Sequence, residues 1–390
     1  MKIEIRKAAF VNKGAELMLH AILQKMRERY PAAIFVMSPT LNSGSSPYIK
    51  RAELGLFQKA FLGRIGAMIS PLASTFAASV LEKYGVIPEK DIDIVIDAAG
   101  FAYSDQWGVK NCRKLADACR RWKSQGKKVI LLPQAFGPFA LPQNKENIRV
   151  IADHCDLIFA RDLISYEFLT KAVGERQNIK MAPDFTNLVR GAIPDGFDSE
   201  KNRFCIVPNF RMIDKTDSSI SKAYLPFLIA CAKYLRSKEA KPFLLVHEGE
   251  NDLALAQEVR NSVGSDLAIV KQVCPLKIKG ILGSCSGTIG SRFHGLVSSL
   301  SQGVPSLGAG WSHKYQMLFE DYGFPEGIIQ PDCSEKDIHK KIDMICDDNS
   351  RQAIAGNLTN KSCELKALSE QMWDSVFAVC EEDHNRVEKK

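Results

Sequence analysis

Short apolar runs alternate with longer amphipathic stretches along most of the chain. Residues 2–10 predict a strand, and Ala15 to Arg29 predicts a helix that ends at Tyr30-Pro31. Further predicted elements are strands at Ala33–Met37, Ile92–Asp97, Lys128–Leu132, Asp156–Ala160 and Ile179–Ala182, and helices at Val109–Ser124 and Leu163–Val173. This alternation is typical of layered α/β domains with a parallel sheet.

A polar, turn-rich stretch from Gly191 to Asn202 predicts a linker. The alternation then restarts, with predicted strands at Phe204–Pro208, Pro242–His247, Leu267–Val270, Gly287–Ile289 and Pro305–Leu307 and helices at Leu225–Ser237 and Asp252–Val263. We therefore predict two doubly wound, Rossmann-like α/β domains, residues 1–195 and 203–349. In such sheets ligands bind beyond the carboxyl ends of the strands, so we expect a functional cleft between the domains.

The last residues, 350–390, are predicted to form a helix with Leu365, Leu368, Met372 and Val376 along one face. A helix of this length can cross back to the N-terminal domain.

Composition narrows the possible functions. At 390 residues, with 45% hydrophobic and 25% charged residues, the chain is globular and neither disordered nor fibrous. The net charge of +7 is spread along the chain, which suits anionic small molecules or an anionic membrane surface. Because no aromatic-basic recognition module is present, we expect no nucleic-acid partner.

The eleven cysteines are scattered without a C-x-x-C pair. This pattern argues against a disulfide framework and against a zinc or iron–sulfur site, and favours a reducing compartment. Met1 leads directly into a strand and not into a signal peptide, so we expect a cytoplasmic protein.

One uncharged segment, Ile65 to Leu81, needs comparison with a membrane helix. It is shorter than the roughly 20 residues that a spanning helix requires, and Pro71 interrupts it. A buried helical hairpin is the favoured interpretation. The alternative is a surface that contacts the acceptor or the inner face of the membrane peripherally.

The segment Thr288-Ile-Gly-Ser-Arg292-Phe-His294-Gly295 carries the strongest candidate chemistry. It follows a strand and opens a helix, where backbone N–H groups and the helix dipole favour an anion. Arg292 offers a planar fork for phosphate or carboxylate, and His294 can move a proton near neutral pH. The structural alternative is an arginine that pairs with an acid and a histidine that caps the helix.

Other loops at strand ends carry weaker candidates. Asn12 and Gly14 open the first helix, and Gln134 and Asp184 follow strands, so they suit sugar hydroxyls; each also fits a cap or a turn. Arg211 follows the first strand of the second domain and is a second candidate cation for the donor. Lys314 adds positive charge, unless it is simply solvated.

Several segments in order along the chain resemble the polysaccharide pyruvyl transferase family. Ser291-Arg292-Phe293-His294-Gly295, with the following helix and Gly303-Val304-Pro305, is similar to that family's C-terminal Ser-Arg-x-His-Gly signature. The other similar segments are Asn12-Lys-Gly14-Ala-Glu16, Leu132-Pro-Gln134-Ala-Phe-Gly137-Pro138, Ala160-Arg161-Asp162-x-x-Ser165, Ala182-Pro-Asp184, and His313-Lys314 with Tyr322-Gly323. The departures are Asp97-Ala-Ala-Gly100-Phe in place of a Gly-rich loop, and the displaced acid Glu16.

The resemblance implies a GT-B-like fold and transfer of pyruvate from phosphoenolpyruvate to a sugar diol as a ketal, in exopolysaccharide biosynthesis. It implies a sugar or lipid-linked glycan as acceptor, phosphoenolpyruvate as co-substrate, no metal and no further cofactor. His294 and Arg292 would be catalytic. The phosphoenolpyruvate side would be domain 203–349, with Arg211, Ser291, Phe293, Gly295 and Lys314 as the donor site. The acceptor side would be domain 1–195, with Asn12, Gly14, Glu16, Gln134 and Asp184 as the acceptor site.

Two other functions fit the same two-domain plan. A nucleotide-sugar glycosyltransferase would carry an acid five positions before the Gly of Gly-x-Pro, to hold the ribose, but Ser298 occupies that position here. A non-catalytic protein of the same fold would not need Arg292 and His294. The sequence leaves open the acceptor sugar, its carrier, the hydroxyls joined and the oligomeric state.

Overall fold

The computed structural model describes residues 1–39, 47–60, 78–310 and 312–381. These residues form two compact units. The first comprises Met1–Val11, Met18–Phe185 and Leu368–Lys390, and the second comprises Asn12–Leu17 and Thr186–Ala367. The start of the first helix therefore packs with the second unit, whereas the end of the last helix packs with the first.

The first unit contains a sheet of eight parallel strands in the order β4-β3-β2-β1-β5-β6-β7-β8. The strands are β1 Lys2–Arg6, β2 Ile34–Met37, β3 Phe57–Lys59, β4 Val86–Ile87, β5 Ile94–Asp97, β6 Lys128–Gln134, β7 Leu157–Ala160 and β8 Ile179–Met181. The helices that begin in the described part of this half are Lys13–Arg29, Pro47–Glu53, Ala78–Lys83, Lys110–Ser124, Pro142–His154 and Leu163–Val173.

The second unit contains five parallel strands in the order β11-β10-β9-β12-β13. They are β9 Phe204–Val207, β10 Pro242–Val246, β11 Ala268–Lys271, β12 Gly287–Gly290 and β13 Ser306–Gly308. The helices in this part of the chain are Arg211–Asp214, Ser218–Ser237, Gly249–Val263, Pro275–Gly283, Phe293–Leu300, His313–Asp321, Glu335–Cys346 and Asp348–Glu381.

Both sheets are buried between helices, which explains why their strands are nearly continuous apolar runs. Residues Val129 to Leu132 of β6 are fully buried, and so are Phe243 to Leu245 of β10. The predicted class, α/β with parallel sheets, is confirmed. Strand order reverses between β1 and β5 in the first sheet and between β9 and β12 in the second, and ligands bind at such reversals in open α/β sheets.

Several predicted boundaries differ from the structure, among them that of the strand predicted over residues 2–10, which ends at Arg6. The helix predicted from Leu225 begins at Ser218, because the Asp217 carboxylate caps it by accepting the N–H groups of Ser219 and Ile220, and Pro226 is tolerated inside it. Strand β6 continues past Leu132 to Gln134, so Gln134 is a strand residue and not a loop residue.

The uncharged segment Ile65 to Leu81 lies mostly outside the described residues, which omit 61–77. Among the helices that are described, none combines the length and the apolar character needed to cross a bilayer. All eleven cysteines are free thiols.

Candidate functional site

The candidate site of the second unit lies where its strand order reverses. Three neighbouring strands, β10, β9 and β12, run parallel, so their carboxyl ends share one edge of the sheet. The segments that follow them carry polar side chains: Asn209 and Arg211 after β9, His247 and Glu248 after β10, and Ser291 to His294 after β12. This is the position at which open α/β sheets bind ligands.

Ser291 holds the turn after β12 in place. Its carbonyl oxygen accepts hydrogen bonds from Asn209 Nδ2 at 2.6 Å and from Tyr315 Oη at 2.9 Å. Its hydroxyl oxygen accepts from Tyr224 Oη at 3.0 Å. Because Ser291 is buried and engaged in this way, it supports the loop that presents Arg292 and His294.

The helix Phe293–Leu300 begins directly after this turn, with Arg292 at its N-cap position. Phe293 is buried in the core and packs edge-on against Tyr315 at 5.8 Å between ring centroids. A Cβ on Gly295 would lie 3.4 Å from Arg292 Cβ and 3.7 Å from His247 Cδ2, at ordinary van der Waals distance. The positive end of the helix dipole therefore faces a group of titratable side chains.

Arg292 is nearly buried and is held by two acids. Its Nε and Nη2 donate to the Asp252 carboxylate at 3.1 Å and 2.6 Å, and its Nη1 donates to Glu248 Oε2. Asp252 is fully buried and also accepts the backbone N–H groups of Phe210 at 2.9 Å and Glu248 at 3.2 Å. The Arg292 side chain therefore has a fixed orientation, since breaking its contacts with Asp252 would leave several buried N–H donors without an acceptor.

Glu248 links Arg292 to the start of the chain's first helix. It accepts a hydrogen bond from Asn12 Nδ2 at 3.2 Å as well as from Arg292. Burial raises the pKa of the Glu248 carboxyl, and the neighbouring Asp252 raises it further, against the effects of Arg292, Arg211 and Lys13. Glu248 is therefore easier to protonate than an exposed glutamate.

His294 lies against the first turn of the helix Lys13–Arg29. A Cβ on Gly14 would lie 2.2 Å from His294 Nδ1, so only glycine permits this approach. Asn12 caps the helix, because its Oδ1 accepts the N–H of Ala15 at 3.0 Å. Lys13 Nζ pairs with Glu16 Oε2 at 2.5 Å. Two helix N-termini thus meet at His294.

A second imidazole, that of His247, is buried beside this group. Burial lowers the pKa of His247 well below its ordinary value, and the positive charges of Arg292, His294 and Lys13 lower it further. His247 is therefore neutral at neutral pH.

The other predicted donor residues are more exposed. The Arg211 side chain is about half exposed, at 49%, and its Nη1 pairs with Asp214 Oδ2 at 2.5 Å. The Lys314 ammonium lies 5.4 Å from the ring centroid of Phe293, within cation–π range. Both cations belong to the second unit, together with Arg292 and His294.

The predicted acceptor residues fall into two groups. Asn12, Gly14 and Glu16 belong to the second unit. Gly14 lies against His294, and Asn12 donates a hydrogen bond to Glu248, a partner of Arg292. Gln134 and Asp184 belong to the first unit. Gln134 is fully buried and donates to the Leu132 carbonyl at 3.2 Å, and Asp184 pairs with Arg161 at 3.3 Å.

The sequence marks the segment from His247 to Glu250 at a strand end, with a loop and helix cap as the alternative, but it identifies neither Asp252 nor the pairing of Glu248 with Arg292. The signal for these two acids is a run of acids, Glu248, Glu250 and Asp252, around the start of a helix that follows a strand. A run of this kind is usually a solvated cap, and Glu250 is indeed paired with Lys271 at the surface. Asn209, which orients the β12 loop, has no distinguishing sequence pattern.

Metal-binding clusters of three or more His, Cys, Asp or Glu side chains do not occur within residues 1–39, 47–60, 78–310 and 312–381.

Comparison with known proteins gives the site a family context. A family model described as polysaccharide pyruvyl transferase matches residues 12–313. The matched range includes Asn12, Gly14, Glu248, Arg292 and His294, and it ends one residue before Lys314.

Solved structures with the same fold bind uridine nucleotides. Anabaena Alr3699/HepE in complex with UDP-glucose is 11% identical, covers 97% of this chain and 99% of its own, and has a TM-score of 0.56. UDP-GlcNAc 2-epimerase from Neisseria meningitidis, bound to UDP-GlcNAc, is 7% identical, covers 97% and 100%, and has a TM-score of 0.60. S. aureus MnaA with UDP is 11% identical, covers 96% and 95%, and has a TM-score of 0.58. At such identities the likeness shows the fold, a pair of Rossmann-like domains of the GT-B-like class.

Proposed function

This chain belongs to the polysaccharide pyruvyl transferase family, and from that membership we propose that it transfers pyruvate from phosphoenolpyruvate to two hydroxyls of a sugar. The product is a cyclic ketal on a polysaccharide or its precursor, and the other product is inorganic phosphate. The observation that carries the proposal is the placement of His294 between two helix N-termini, beside a fixed Arg292.

The donor has two anionic groups that the site must bind. It carries a phosphate and a carboxylate, so it needs several cationic or N–H donors close together. The second unit supplies Arg292, Arg211, Lys13 and Lys314, and the first turns of two helices add backbone N–H groups. Asp252 keeps the Arg292 guanidinium in one orientation, which reduces the ordering needed when the donor binds.

The reaction proceeds in two stages, each with proton transfer. In the first, an acid protonates the methylene carbon of the donor, which leaves positive charge at the central carbon, and a sugar hydroxyl adds there and gives up its proton. In the second, the bond from the central carbon to the phosphate oxygen breaks, the second hydroxyl closes the ring, and its proton leaves with phosphate. We assign the proton shuttle to His294, an imidazole that can donate and accept near neutral pH.

A test uses the purified protein with phosphoenolpyruvate and a crude glycan extract as acceptor. Phosphate release and acid-labile pyruvate on the glycan are expected from the parent protein. His294→Ala should reduce the rate about 10²- to 10⁴-fold, the usual contribution of a general acid–base group. His339→Gln is the control, because His339 stacks on Tyr234 at 3.7 Å, away from the β12 loop in sequence and in its contacts. A parent protein that releases no phosphate, or a His294→Ala variant with full activity, would contradict the proposal.

A second candidate is a nucleotide-sugar glycosyltransferase, which is favoured by the UDP and UDP-glucose bound to Anabaena Alr3699/HepE. Against it, Ser298 stands where a ribose-binding acid would be expected, and it is buried in the helix Phe293–Leu300. Thermal-shift measurements separate the two functions. Stabilisation by phosphoenolpyruvate supports the transfer of pyruvate, whereas stabilisation by UDP alone supports the glycosyltransferase.

A further inference from the structure

The two acids that contact Arg292 differ in how firmly they are held. Asp252 has no exposed side-chain surface and accepts from Nε and Nη2 of Arg292 and from two backbone N–H groups. Removing it would leave all of these donors without an acceptor in a buried position. Asp252 is therefore a permanent partner of the guanidinium.

Glu248 is held by fewer contacts. Its carboxylate accepts from Arg292 Nη1 and from Asn12 Nδ2 at 3.2 Å, and 14% of its side chain is exposed. Its side chain makes no capping hydrogen bond to the helix Gly249–Val263 that follows it. Glu248 can therefore leave Nη1 without disturbing Asp252 or the helix.

A carboxylate on Nη1 takes the place that an oxyanion of the donor would occupy, because phosphate and carboxylate oxygens bind a guanidinium N–H in the same way. With both acids ionised, Asp252, Glu248 and Arg292 together carry a charge of about −1, which repels an anionic donor. Protonation or withdrawal of Glu248 removes that repulsion and frees Nη1.

We propose that Glu248 is a placeholder on Arg292, displaced when the oxyanion of the donor binds, and that donor binding is accompanied by the uptake of a proton. This inference rests on the proposed function only in taking an oxyanion as the ligand. Glu248 is then a positioning residue, since it acts on the donor through Arg292.

The surroundings of Glu248 agree with this role. The charged groups that face it are Lys13 from the first helix, Arg211 from the loop after β9, Asp252 from the helix Gly249–Val263, and Arg292. Burial, the largest influence, already raises the pKa of the Glu248 carboxyl. When the donor takes Nη1, Glu248 loses its nearest cation and gains a negative neighbour, and both changes raise that pKa further.

The experiment titrates the full chain with phosphoenolpyruvate in a calorimeter at several pH values, in two buffers that differ in ionisation enthalpy. The parent protein should take up protons on binding, and its Kd should weaken by up to about 10-fold per pH unit where one proton is coupled. Glu248→Gln keeps the size of the side chain and an oxygen for Asn12 but removes the charge. It should bind phosphoenolpyruvate about 10-fold more tightly at pH 8 and lose most of the pH dependence.

Glu250→Gln is the matched control, because Glu250 lies two residues away and pairs with Lys271 at 2.9 Å on the surface. It should bind as the parent does. Binding to the parent without proton uptake would overturn the inference, as would a Glu248→Gln variant with the parent's Kd and pH dependence. The proton count is measured on the parent, so the absence of proton uptake would overturn the inference even if Glu248→Gln does not fold.

Inorganic phosphate is titrated in parallel as the probe for the oxyanion alone. If the parent binds phosphate with proton uptake but does not bind phosphoenolpyruvate, the proposed function fails and the placeholder role stands. If it binds phosphoenolpyruvate without proton uptake, the placeholder role fails and the proposed function stands.

Discussion

Each unit places an arginine beside a buried aspartate near the carboxyl end of a parallel strand, but the two pairs have different surroundings. In the first unit, Arg6 ends β1 and lies 3.8 Å from Asp97, which ends β5. Arg6 stacks on Trp122 with 4.5 Å to the ring centroid, and Asp97 accepts from Tyr103 Oη at 3.0 Å. Because Trp122 and Tyr103 are core residues, the Arg6–Asp97 pair contacts the apolar layer between the sheet and the helices.

In the second unit, the Arg292–Asp252 pair is followed outward by Glu248, Asn12 and the exposed Arg211. The Arg292–Asp252 pair is thus linked to further charged and polar side chains and is not enclosed by core residues. A buried ion pair is therefore weak evidence of function by itself. What distinguishes a candidate site is an ion pair whose outer partner can be exchanged, beside helix N-termini and a titratable group such as His294.

The largest effect is expected on stability and activity when Asp252 and Asp97 are each replaced by asparagine. Asp252→Asn leaves the buried Arg292 without a counter-charge, which should cost about 3–5 kcal/mol of unfolding free energy and abolish phosphate release. Asp97→Asn should also destabilise, by about 1–3 kcal/mol, because Tyr103 loses a charged acceptor and Arg6 loses its counter-charge at 3.8 Å. Activity per folded molecule should persist in Asp97→Asn. Urea unfolding and phosphate release measure both quantities, and full activity in Asp252→Asn would break the distinction between the two pairs.

A smaller effect is expected when alanine replaces Gly14, which lies against His294, than when the aspartates are replaced. Gly14→Ala places a Cβ where His294 Nδ1 lies, so one of them must move, at a cost of about 1–3 kcal/mol. A displacement of about 1 Å at a reacting group can lower kcat about 10²-fold.

Gly356→Ala is the control for this variant, because no atom lies within 4 Å of the new Cβ and the residue is inside a helix. It should gain about 0.5–1 kcal/mol of stability with unchanged kcat. An equal loss of kcat in both variants would show that the Gly14–His294 contact has no special role.

The smallest effect concerns the dependence of stability on pH. His247 has a folded-state pKa well below its unfolded value of about 6.5. Below about pH 6.5 the unfolded state therefore binds a proton at His247, whereas the folded state does not. The stabilisation is present above about pH 6.5 and falls with decreasing pH, by up to about 1.4 kcal/mol per pH unit. His247→Gln should lose that slope between pH 5 and 6.5 in urea unfolding. An unchanged slope would mean that burial, together with the charges around Arg292, does not hold His247 neutral.

The sequence by itself determined the local features of this protein. Apolar runs such as Val129 to Leu132 predict buried parallel strands because both faces of these strands are covered by helices, and the confirmed α/β class follows from their alternation with amphipathic helices. The Ser291 to Gly295 segment was located correctly at a strand end and helix start, since that position depends only on the order of neighbouring elements.

Only the tertiary structure decided which distant groups meet there. Asp252 and Glu248 lie 40 and 44 residues before Arg292 in the chain, and the sequence contains no sign that they pair with it. The sequence suggested that Asn12 and Gly14 contact the acceptor in the first domain, whereas the fold places the start of their helix with the second unit, against His294. Such contacts depend on strand order and on the close approach that a missing Cβ allows, and neither is encoded by residue spacing along the chain.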